Sequence, residues 1–174
     1  EGVRTFTGVS GRMEKVSSDC DDDLMVMIDF AHTNDALRGL LEAVRPLTRG
    51  QVVTVFGCGG NRDAAKRPLM GAVAANMSDK VVLTSDNPRS EQPLDIIADI
   101  ELGLLDTKTP YVTIPDREEA IVRTIVEANP GDVVVVAGKG HERYQEIGTQ
   151  LVPFEDGTVA RMALSRRRAS RRMG

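Results

Sequence analysis

The chain has 174 residues, the size of one ordinary domain, and 41% of them are hydrophobic while 28% are charged, which is typical of a folded globular protein. Its two cysteines, Cys20 and Cys58, argue against a disulfide framework or a zinc site, and the sequence holds no apolar run long enough to cross a membrane. A net charge of −4 with only 3% aromatic residues argues against nucleic-acid binding, so we expect neither nucleic acid nor membrane as a partner.

The charge is unevenly distributed. Residues 161–174 hold six arginines and no acid, which leaves 26 acidic against 16 basic residues over 1–160. We expect residues 166–174 to form a disordered, solvated basic tail, with contact to RNA or anionic lipid as the less favoured alternative. The acidic patch at 19–23 is predicted to be a solvated turn, and a weak cation site is its minor alternative. Because residue 1 is Glu, we expect the chain to be a piece of a longer protein or a processed chain.

Apolar runs typical of strands alternate along the chain with amphipathic helical patterns. Strands are predicted over 24–30, 52–56, 80–84, 111–114 and 133–137. Helices are predicted from the cap residue Thr33 onward, over 67–77, 93–105 and 116–128, and again from 158. The segment 145–154, with Gly148 in its middle, is predicted to be a hairpin or an edge strand.

This alternation predicts an α/β fold: a Rossmann-like, mostly parallel sheet flanked by helices, with a C-terminal antiparallel edge strand or hairpin. The nearly continuous apolar strands agree, because a parallel sheet is covered on both faces. In such folds ligands bind at the carboxyl ends of the strands. Functional residues are therefore sought directly after each strand.

The first two predicted strands are followed by groups that suit anions. Asp29 and His32 lie beside a helix N-terminus, where they suit a phosphate, a ribose hydroxyl or a magnesium-bound water, or equally a local hydrogen bond and a cap. A glycine-rich turn over 57–60 follows the second strand. Three cations come next, and they form either an anion site or a solvated face: Arg62, Lys66 and Arg67.

The third and fifth strands are followed by groups that suit a zwitterion. Asp86, Asn87 and Arg89 surround a fixed proline and offer an acceptor, an amide and a bidentate cation, which suit an amino acid; a turn with a helix cap is the structural alternative. Glu142, after the fifth strand, adds a second acceptor for an ammonium group. Polar groups after four strands at one edge of a sheet predict a composite site.

Two nucleotide-binding motifs are absent from the sequence. It contains no Gly-x-Gly-x-x-Gly fingerprint, since the third position falls on Arg62, and no Gly-x-x-x-x-Gly-Lys-[Ser/Thr] P-loop, since Lys139 is followed by Gly140. A generic dinucleotide-binding domain is therefore disfavoured.

Five segments together resemble the Mur ligases, and within them the MurE type, over about residues 8–165. The matching pieces run in family order: Gly-Arg-Met-Glu at 11–14, Asp-Phe-Ala-His-Thr at 29–33, the segment 56–71, Asp-Asn-Pro-Arg at 86–89, and Gly-Lys-Gly-His-Glu at 138–142. The resemblance implies three domains, of which this chain resembles the third: a C-terminal amino-acid-binding domain over 1–165, followed by the basic tail.

The activity implied by the resemblance is ATP-dependent amide bond formation through an acyl phosphate. It joins meso-2,6-diaminopimelate to UDP-MurNAc-L-Ala-D-Glu in peptidoglycan precursor synthesis. ATP and Mg²⁺ would be bound mainly by the central ATPase domain of the same polypeptide, so the chain alone is expected to be inactive. The implied location is the cytoplasm, or the plastid stroma for a plant or algal relative.

The resemblance also assigns residues, and none of them is a metal ligand. Diaminopimelate contacts would fall on Arg62, Asp86, Asn87, Pro88, Arg89, Gly138 and Glu142; lysine-adding members differ at the Asp-Asn-Pro-Arg motif. The nucleotide side would comprise Arg12, Asp29, His32 and Asn34, with Arg12 and Asp29 assisting at the nucleotide. The chain departs from the common family pattern at four positions: Ser10, Phe30, Asn34 and Asn61.

Two other functions stay open at this point. The chain could be the same domain of another amide ligase of the superfamily, such as a folylpolyglutamate synthetase, although the intact motif at 86–89 argues against it. It could also be a non-catalytic homologue that acts as an interaction module.

Overall fold

The computed structural model describes residues 11–18 and 20–173. Its strands are β1 Glu14–Lys15, β2 Met25–Asp29, β3 Val52–Phe56, β4 Lys80–Leu83, β5 Tyr111–Thr113, β6 Val133–Ala137, β7 Tyr144–Ile147 and β8 Gln150–Pro153. Its helices are α1 Asn34–Val44, α2 Lys66–Met77, α3 Pro93–Glu101, α4 Arg117–Glu127 and α5 Asp156–Met173, and a short 3-10 turn, Arg45–Leu47, follows α1. The described part of the chain contains no helix that is long and apolar enough to cross a bilayer.

The strands form one six-stranded sheet and one separate hairpin. The order in the sheet is β1-β2-β6-β3-β4-β5, and every neighbouring pair is parallel except β1 with β2. This confirms the predicted mostly parallel α/β sheet. Strands β7 and β8 pair antiparallel with each other, so the hairpin is the correct one of the two C-terminal alternatives.

Helices cover both faces of the sheet, and the strands divide their side chains between two cores. Helices α1, α2 and α3 pack over one face, where Leu41 and Met70 are fully buried. Helices α4 and α5 pack over the other face, around Ile121 and Ala160. Alternate residues of β6 enter the two cores, which is why that strand reads as a continuous apolar run rather than an alternating one.

The basic C-terminal segment differs from the expected disordered tail, because residues 166–173 continue helix α5. Arg167 is buried and donates to both carboxylate oxygens of Asp23, at 2.8 and 2.9 Å, and also to the carbonyls of Ile125 and Val126. A guanidinium is buried only where its donors are satisfied and a carboxylate pairs with it, and the contacts of Arg167 meet both conditions. The paired carboxylates order this part of the segment.

The acidic patch is accordingly not a solvated turn. The Asp22 side chain is only 1% exposed and accepts from Arg168 at 2.9 Å, while Asp23 holds Arg167. Asp19 lies outside the described residues. Within the ranges that the structure describes, no three potential metal-ligating side chains gather into a cation site, and the arginines of α5 take the role of counter-ion.

Candidate functional site

A cleft of about 490 Å³ opens at the carboxyl ends of the parallel strands. Six of the seven predicted amino-acid contacts line it: Arg62, Asp86, Asn87, Arg89, Gly138 and Glu142. The turns after β3, β4 and β6 supply them, because these three strands are neighbours and end at the same edge. A larger groove of about 620 Å³ lies between α4 and α5 and contains none of the predicted residues.

Pro88, the seventh predicted contact, shapes the cleft through its backbone. A β-carbon on Gly60 would lie 1.9 Å from the Pro88 carbonyl oxygen, and the Gly60 N–H donates to the Asn87 carbonyl at 2.9 Å. This close approach requires glycine at position 60. It fixes the 86–89 segment against the glycine-rich turn after β3.

A buried lysine organises the polar floor of the cleft. Lys139 is fully buried, and its Nζ donates to Asn87 Oδ1 and to Glu142 Oε2, both at 2.8 Å. Asn87 Nδ2 donates to the same Glu142 oxygen at 2.9 Å. Burial works to raise the pKa of Glu142, but the hydrogen bonds from Lys139 and Asn87 outweigh it and hold the pKa below its usual value. Glu142 is therefore an anion at neutral pH.

Asp86 is the most deeply buried carboxylate at the cleft. Burial raises the pKa of its carboxyl group above the usual value, and the cations Arg117 and Lys139 oppose this rise. One carboxylate oxygen accepts from the Asn87 N–H at 2.7 Å. A β-carbon on Gly138 would lie 2.6 Å from the other oxygen, and Gly138 has a φ of +115°, so both space and backbone conformation require glycine there.

Arg89 also lines the cleft, and the β7–β8 hairpin holds it in place. Its Nη1 donates to the Gly60 carbonyl at 2.9 Å, and its Nε forms an ion pair with Glu146. The positive charge of Arg89 also contributes to the lowered pKa of Glu142. A cation and an anion thus face one cleft, as recognition of a zwitterionic ligand requires.

The predicted nucleotide-side residues lie on the same rim, but Asp29 is already engaged. Its two oxygens accept from the backbone N–H groups of Met13 and Ala31, each at 2.7 Å. Asp29 therefore fixes the turn that carries Arg12, whose side chain is exposed. His32 Nδ1 donates to the Phe30 carbonyl at 2.9 Å. The helix cap is Thr33, not His32.

Asn34 is the first residue of α1, and its side-chain amide donates to Asp35 at 3.1 Å. Of the predicted nucleotide-side residues, His32 lines the cleft, whereas Arg12, Asp29 and Asn34 do not. The rim and the cleft are nevertheless adjacent, because a β-carbon on Gly11 would lie 2.3 Å from the backbone nitrogen of His141.

The three cations after β3 do not act together as an anion site. Arg67 is buried and donates to Asp99 and Glu91, at 2.9 and 3.0 Å, so it ties α2 to α3. Lys66 donates to the His32 carbonyl at 2.7 Å. Arg62 is exposed and Lys66 half-buried, and both line the cleft, so these two of the three cations can meet a ligand.

Cys58 also lines the cleft, but it is not suited to nucleophilic chemistry. It is buried, and burial raises the pKa of its thiol to about 12. The thiolate is the reactive form of cysteine. The cleft therefore offers groups that bind and orient a ligand, and we find no activated nucleophile among its described residues.

Two residues that hold the site together have no role in the sequence analysis. Arg117 is fully buried and donates to the carbonyls of Ser85 and Ala137, the residues that precede Asp86 and Gly138. Its signal in the sequence is its place on the buried face of α4, four residues before Ile121. Glu146 gives no such signal, since it is one charged residue of a short hairpin.

Similar proteins identify the family of the chain. Residues 11–140 match the family described as Mur ligase, glutamate ligase domain. The chain belongs to this family. The Asn87, Arg89 and Glu142 side chains line one cleft at the carboxyl edge of its parallel sheet.

Curated relatives of this Mur ligase domain are named UDP-N-acetylmuramoyl-L-alanyl-D-glutamate–2,6-diaminopimelate ligase. The protein of Gloeobacter violaceus is 54% identical over 97% of the chain, and that of Solibacter usitatus is 51% identical over 94%. The chain spans about a third of the length of these relatives, 34% and 33% respectively.

Two solved structures are similar to the chain. A ligase of the same name superposes with a TM-score of 0.82 at 42% identity and covers 91% of this chain and 32% of its own. UDP-N-acetylmuramate-alanine ligase of Thermotoga maritima gives a TM-score of 0.64 at 19% identity and covers 95% of this chain and 31% of its own. The second similarity shows the shared fold alone.

Proposed function

We propose that this Mur ligase domain binds and orients meso-2,6-diaminopimelate in a ligase that joins it to UDP-MurNAc-L-Ala-D-Glu. The observation that carries the proposal is the convergence on one cleft of Asn87 and Arg89, which follow β4, with Glu142, which follows β6. The names of the relatives support the substrate class. Since such precursors and ATP are cytoplasmic metabolites, we place the ligase in the cytoplasm.

The cleft explains how the amino acid would be held. The Arg89 guanidinium binds one carboxylate of diaminopimelate, and the Glu142 anion with the Asn87 amide binds an ammonium group and a second carboxylate. Arg62, at the exposed side of the cleft, closes over the charged end of the ligand. The amine that reacts is thereby presented at the open side of the cleft, toward the partner domain.

Diaminopimelate differs from lysine by one carboxylate, and this difference gives the selectivity. Lysine would leave the Arg89 guanidinium without a ligand anion. A site that is built to pair a polar group rejects the analogue lacking its partner more strongly than it rejects a change in apolar shape. We therefore infer that Arg89 discriminates between the two amino acids.

The nucleotide belongs mainly to the central ATPase domain of the same polypeptide, because this sequence holds no P-loop. When bound, ATP and Mg²⁺ supply the phosphoryl group that activates the D-Glu carboxylate. Arg12 fits a polyanion at the rim, since Asp29 fixes its turn through the Met13 N–H and leaves the Arg12 side chain exposed. Closure of this rim onto the central domain would exclude water.

Substitution of Arg89 in the full-length ligase tests the proposal. We expect Arg89→Ala to raise the KM for diaminopimelate by about ten- to a hundredfold, because a charge-assisted hydrogen bond is worth about 1.5–3 kcal/mol. The KM for ATP should stay unchanged. Steady-state kinetics with each substrate varied in turn measure both values.

Arg38→Ala is the matched control, since Arg38 is an exposed arginine of α1 outside the cleft. It should leave both KM values at the wild-type level. An unchanged KM for diaminopimelate in Arg89→Ala, or an equal rise in both KM values, would refute the assigned role.

A further inference from the structure

The β7–β8 hairpin is fastened to the segment that carries the predicted amino-acid contacts. Gln145 donates to the Asp86 carbonyl at 2.6 Å, and the Glu146 N–H donates to Asn87 Oδ1 at 3.0 Å. Arg89 is bound on both sides, because its N–H donates to the Glu146 carbonyl at 3.0 Å and its carbonyl accepts from the Gly148 N–H at 2.7 Å. The hairpin is therefore part of the site's framework.

The backbone of Arg89 needs this support. Its φ is +54°, in the left-handed region, which is uncommon for a residue with a long side chain. Such conformations persist where the surroundings over-determine them, and they cluster at binding sites. The two backbone hydrogen bonds from the hairpin supply that constraint.

Glu146 of the hairpin also fixes the side chain of Arg89. Glu146 pairs with Nε, and the Gly60 carbonyl accepts from Nη1. Among the described residues, Nη2 takes part in no hydrogen bond or ion pair, and the side chain remains 21% exposed at the cleft. Glu146 thus immobilises the guanidinium and leaves one of its nitrogens for a ligand.

We propose that Glu146 is a positioning residue that determines the selectivity of the cleft for a diacid over a monoacid. The inference rests on the proposed function, since it concerns the same ligand. Glu146 contacts Arg89 and Asn87 at once, through its carboxylate and its backbone. It requires no contact with the ligand itself.

Immobility is what makes an Arg89 Nη2 without a ligand carboxylate costly. A fixed guanidinium cannot turn to solvent when lysine occupies the cleft. The hydrogen bond that the missing carboxylate would have accepted is therefore lost in full from the binding free energy of lysine. A guanidinium released from Glu146 can rotate outward and find water instead. Loss of Glu146 should therefore weaken binding of the diacid and relieve the penalty against lysine.

The test compares four forms of the full-length ligase with diaminopimelate and lysine as alternative substrates: wild type, Glu146→Ala, Glu146→Gln and Thr149→Ala. For Glu146→Ala we expect the ratio of kcat/KM for diaminopimelate to that for lysine to fall by about tenfold or more. Glu146→Gln keeps an oxygen that accepts from Arg89 Nε, so its ratio should stay within about threefold of wild type. Thr149→Ala, at the exposed turn of the hairpin, should match wild type.

The ratio separates positioning from a merely structural role, because a smaller folded fraction lowers both kcat/KM values equally. Glu146→Ala with an unchanged ratio overturns the inference and leaves the proposed function intact. A wild-type enzyme that does not prefer diaminopimelate overturns the proposed function and the inference together.

A second measurement on the 174-residue chain needs no substrate. In NMR spectra the Arg89 Nε–H should exchange slowly with water in wild type and rapidly in Glu146→Ala, while Thr149→Ala keeps the slow signal. Rapid exchange already in wild type would show that Glu146 does not fix the guanidinium, and it would overturn the inference.

Discussion

Lys139 is the residue on which the polar floor of the cleft depends. Its ammonium group is the shared partner of Asn87 and Glu142, and it lies 5.9 Å from the ring centroid of Tyr144. Because its Nζ occupies Asn87 Oδ1, the Asn87 amide nitrogen is left to face Glu142. The lysine thus sets both the orientation of the amide and the charge of the carboxylate.

We expect Lys139→Met to raise the pKa of Glu142. The hydrogen bond and charge that lower this pKa are removed, while burial, which raises it, remains. In the full-length ligase the rising limb of kcat/KM for diaminopimelate should then move to higher pH, because the anionic form of Glu142 is reached later. Methionine fills a similar volume, so the fold should survive.

Carbon-detected NMR of the Glu142 carboxyl group in the 174-residue chain measures this pKa directly. Lys108→Met, at an exposed lysine, is the control and should leave the titration unchanged. The assignment of Lys139 would be wrong if Glu142 titrated at the same pH in Lys139→Met as in wild type.

The residues of the cleft could be predicted from the sequence because they follow strands whose ends share one edge of the sheet. Arg89 and Glu142 are 53 positions apart in the chain, and the predicted parallel sheet is enough to bring them to one rim. The side chains that hold these residues in place could not be predicted in this way. Whether Arg67 faces a ligand or a carboxylate of α3 depends on packing between two helices, which hydrophobic periodicity does not encode.

At the scale of elements, the buried strands were predicted best. The bounds of β3 and β6 agree with the prediction because both are runs of apolar or β-branched residues that are followed directly by glycine. Strand β1 has two residues and no periodicity, so nothing in the sequence predicts it. The end of α5 was mispredicted since a run of arginines resembles a solvated tail unless its carboxylate partners are known.

The ion pair between Asp23 and Arg167, which anchors the end of α5, predicts how the stability of the fold depends on pH. The hydrogen bond from Arg167, with the charges of Arg167 and Arg171, lowers the pKa of Asp23 despite partial burial. A lowered pKa in the folded state means that Asp23 stabilises the fold above its unfolded pKa, and that this contribution is lost as the pH falls through the folded value. We expect Asp23→Asn to cost about 2 kcal/mol at pH 7, between the values for exposed and buried pairs.

Urea unfolding of wild type and Asp23→Asn at pH 7 and at pH 3 measures the difference between their free energies of unfolding. This difference should be smaller at pH 3. Hydrogen exchange of the backbone amides over 166–172 should also become faster in Asp23→Asn at pH 7. Asp21→Asn, at an exposed member of the same acidic patch, is the control and should do neither. A difference that grows on acidification would contradict the anchor.

At the scale of the whole molecule, one buried ion pair connects the cleft to the core on the α4–α5 face. Arg117 donates to Asp156 through Nε and Nη2, both at 2.8 Å, and neither side chain is exposed. The same guanidinium donates to the carbonyl of Ala137, the last residue of β6, and to that of Ser85, in the turn after β4. It therefore joins helices α4 and α5 to the two residues that directly precede Asp86 and Gly138 in the chain.

We expect Arg117→Met to destabilise the chain by about 3–5 kcal/mol, because Asp156 is left as an unpaired buried charge. Arg123→Ala on the same helix removes a solvent-exposed pair with Glu127, and it should cost no more than about 0.5 kcal/mol. Chemical denaturation of the two variants at neutral pH measures the contrast. Equal costs would mean that the buried pair has no special place in the fold.

The double variant Arg117→Met/Asp156→Leu separates stability from shape. Two apolar side chains of similar volume should recover much of the lost free energy of unfolding, since no buried charge remains. They offer no donor to the carbonyls of Ser85 and Ala137, so the turns that carry Asp86 and Gly138 lose their common support. In the full-length ligase we therefore expect wild-type-like stability with a KM for diaminopimelate that stays raised by about tenfold. Recovery of both stability and KM would show that Arg117 serves the core alone.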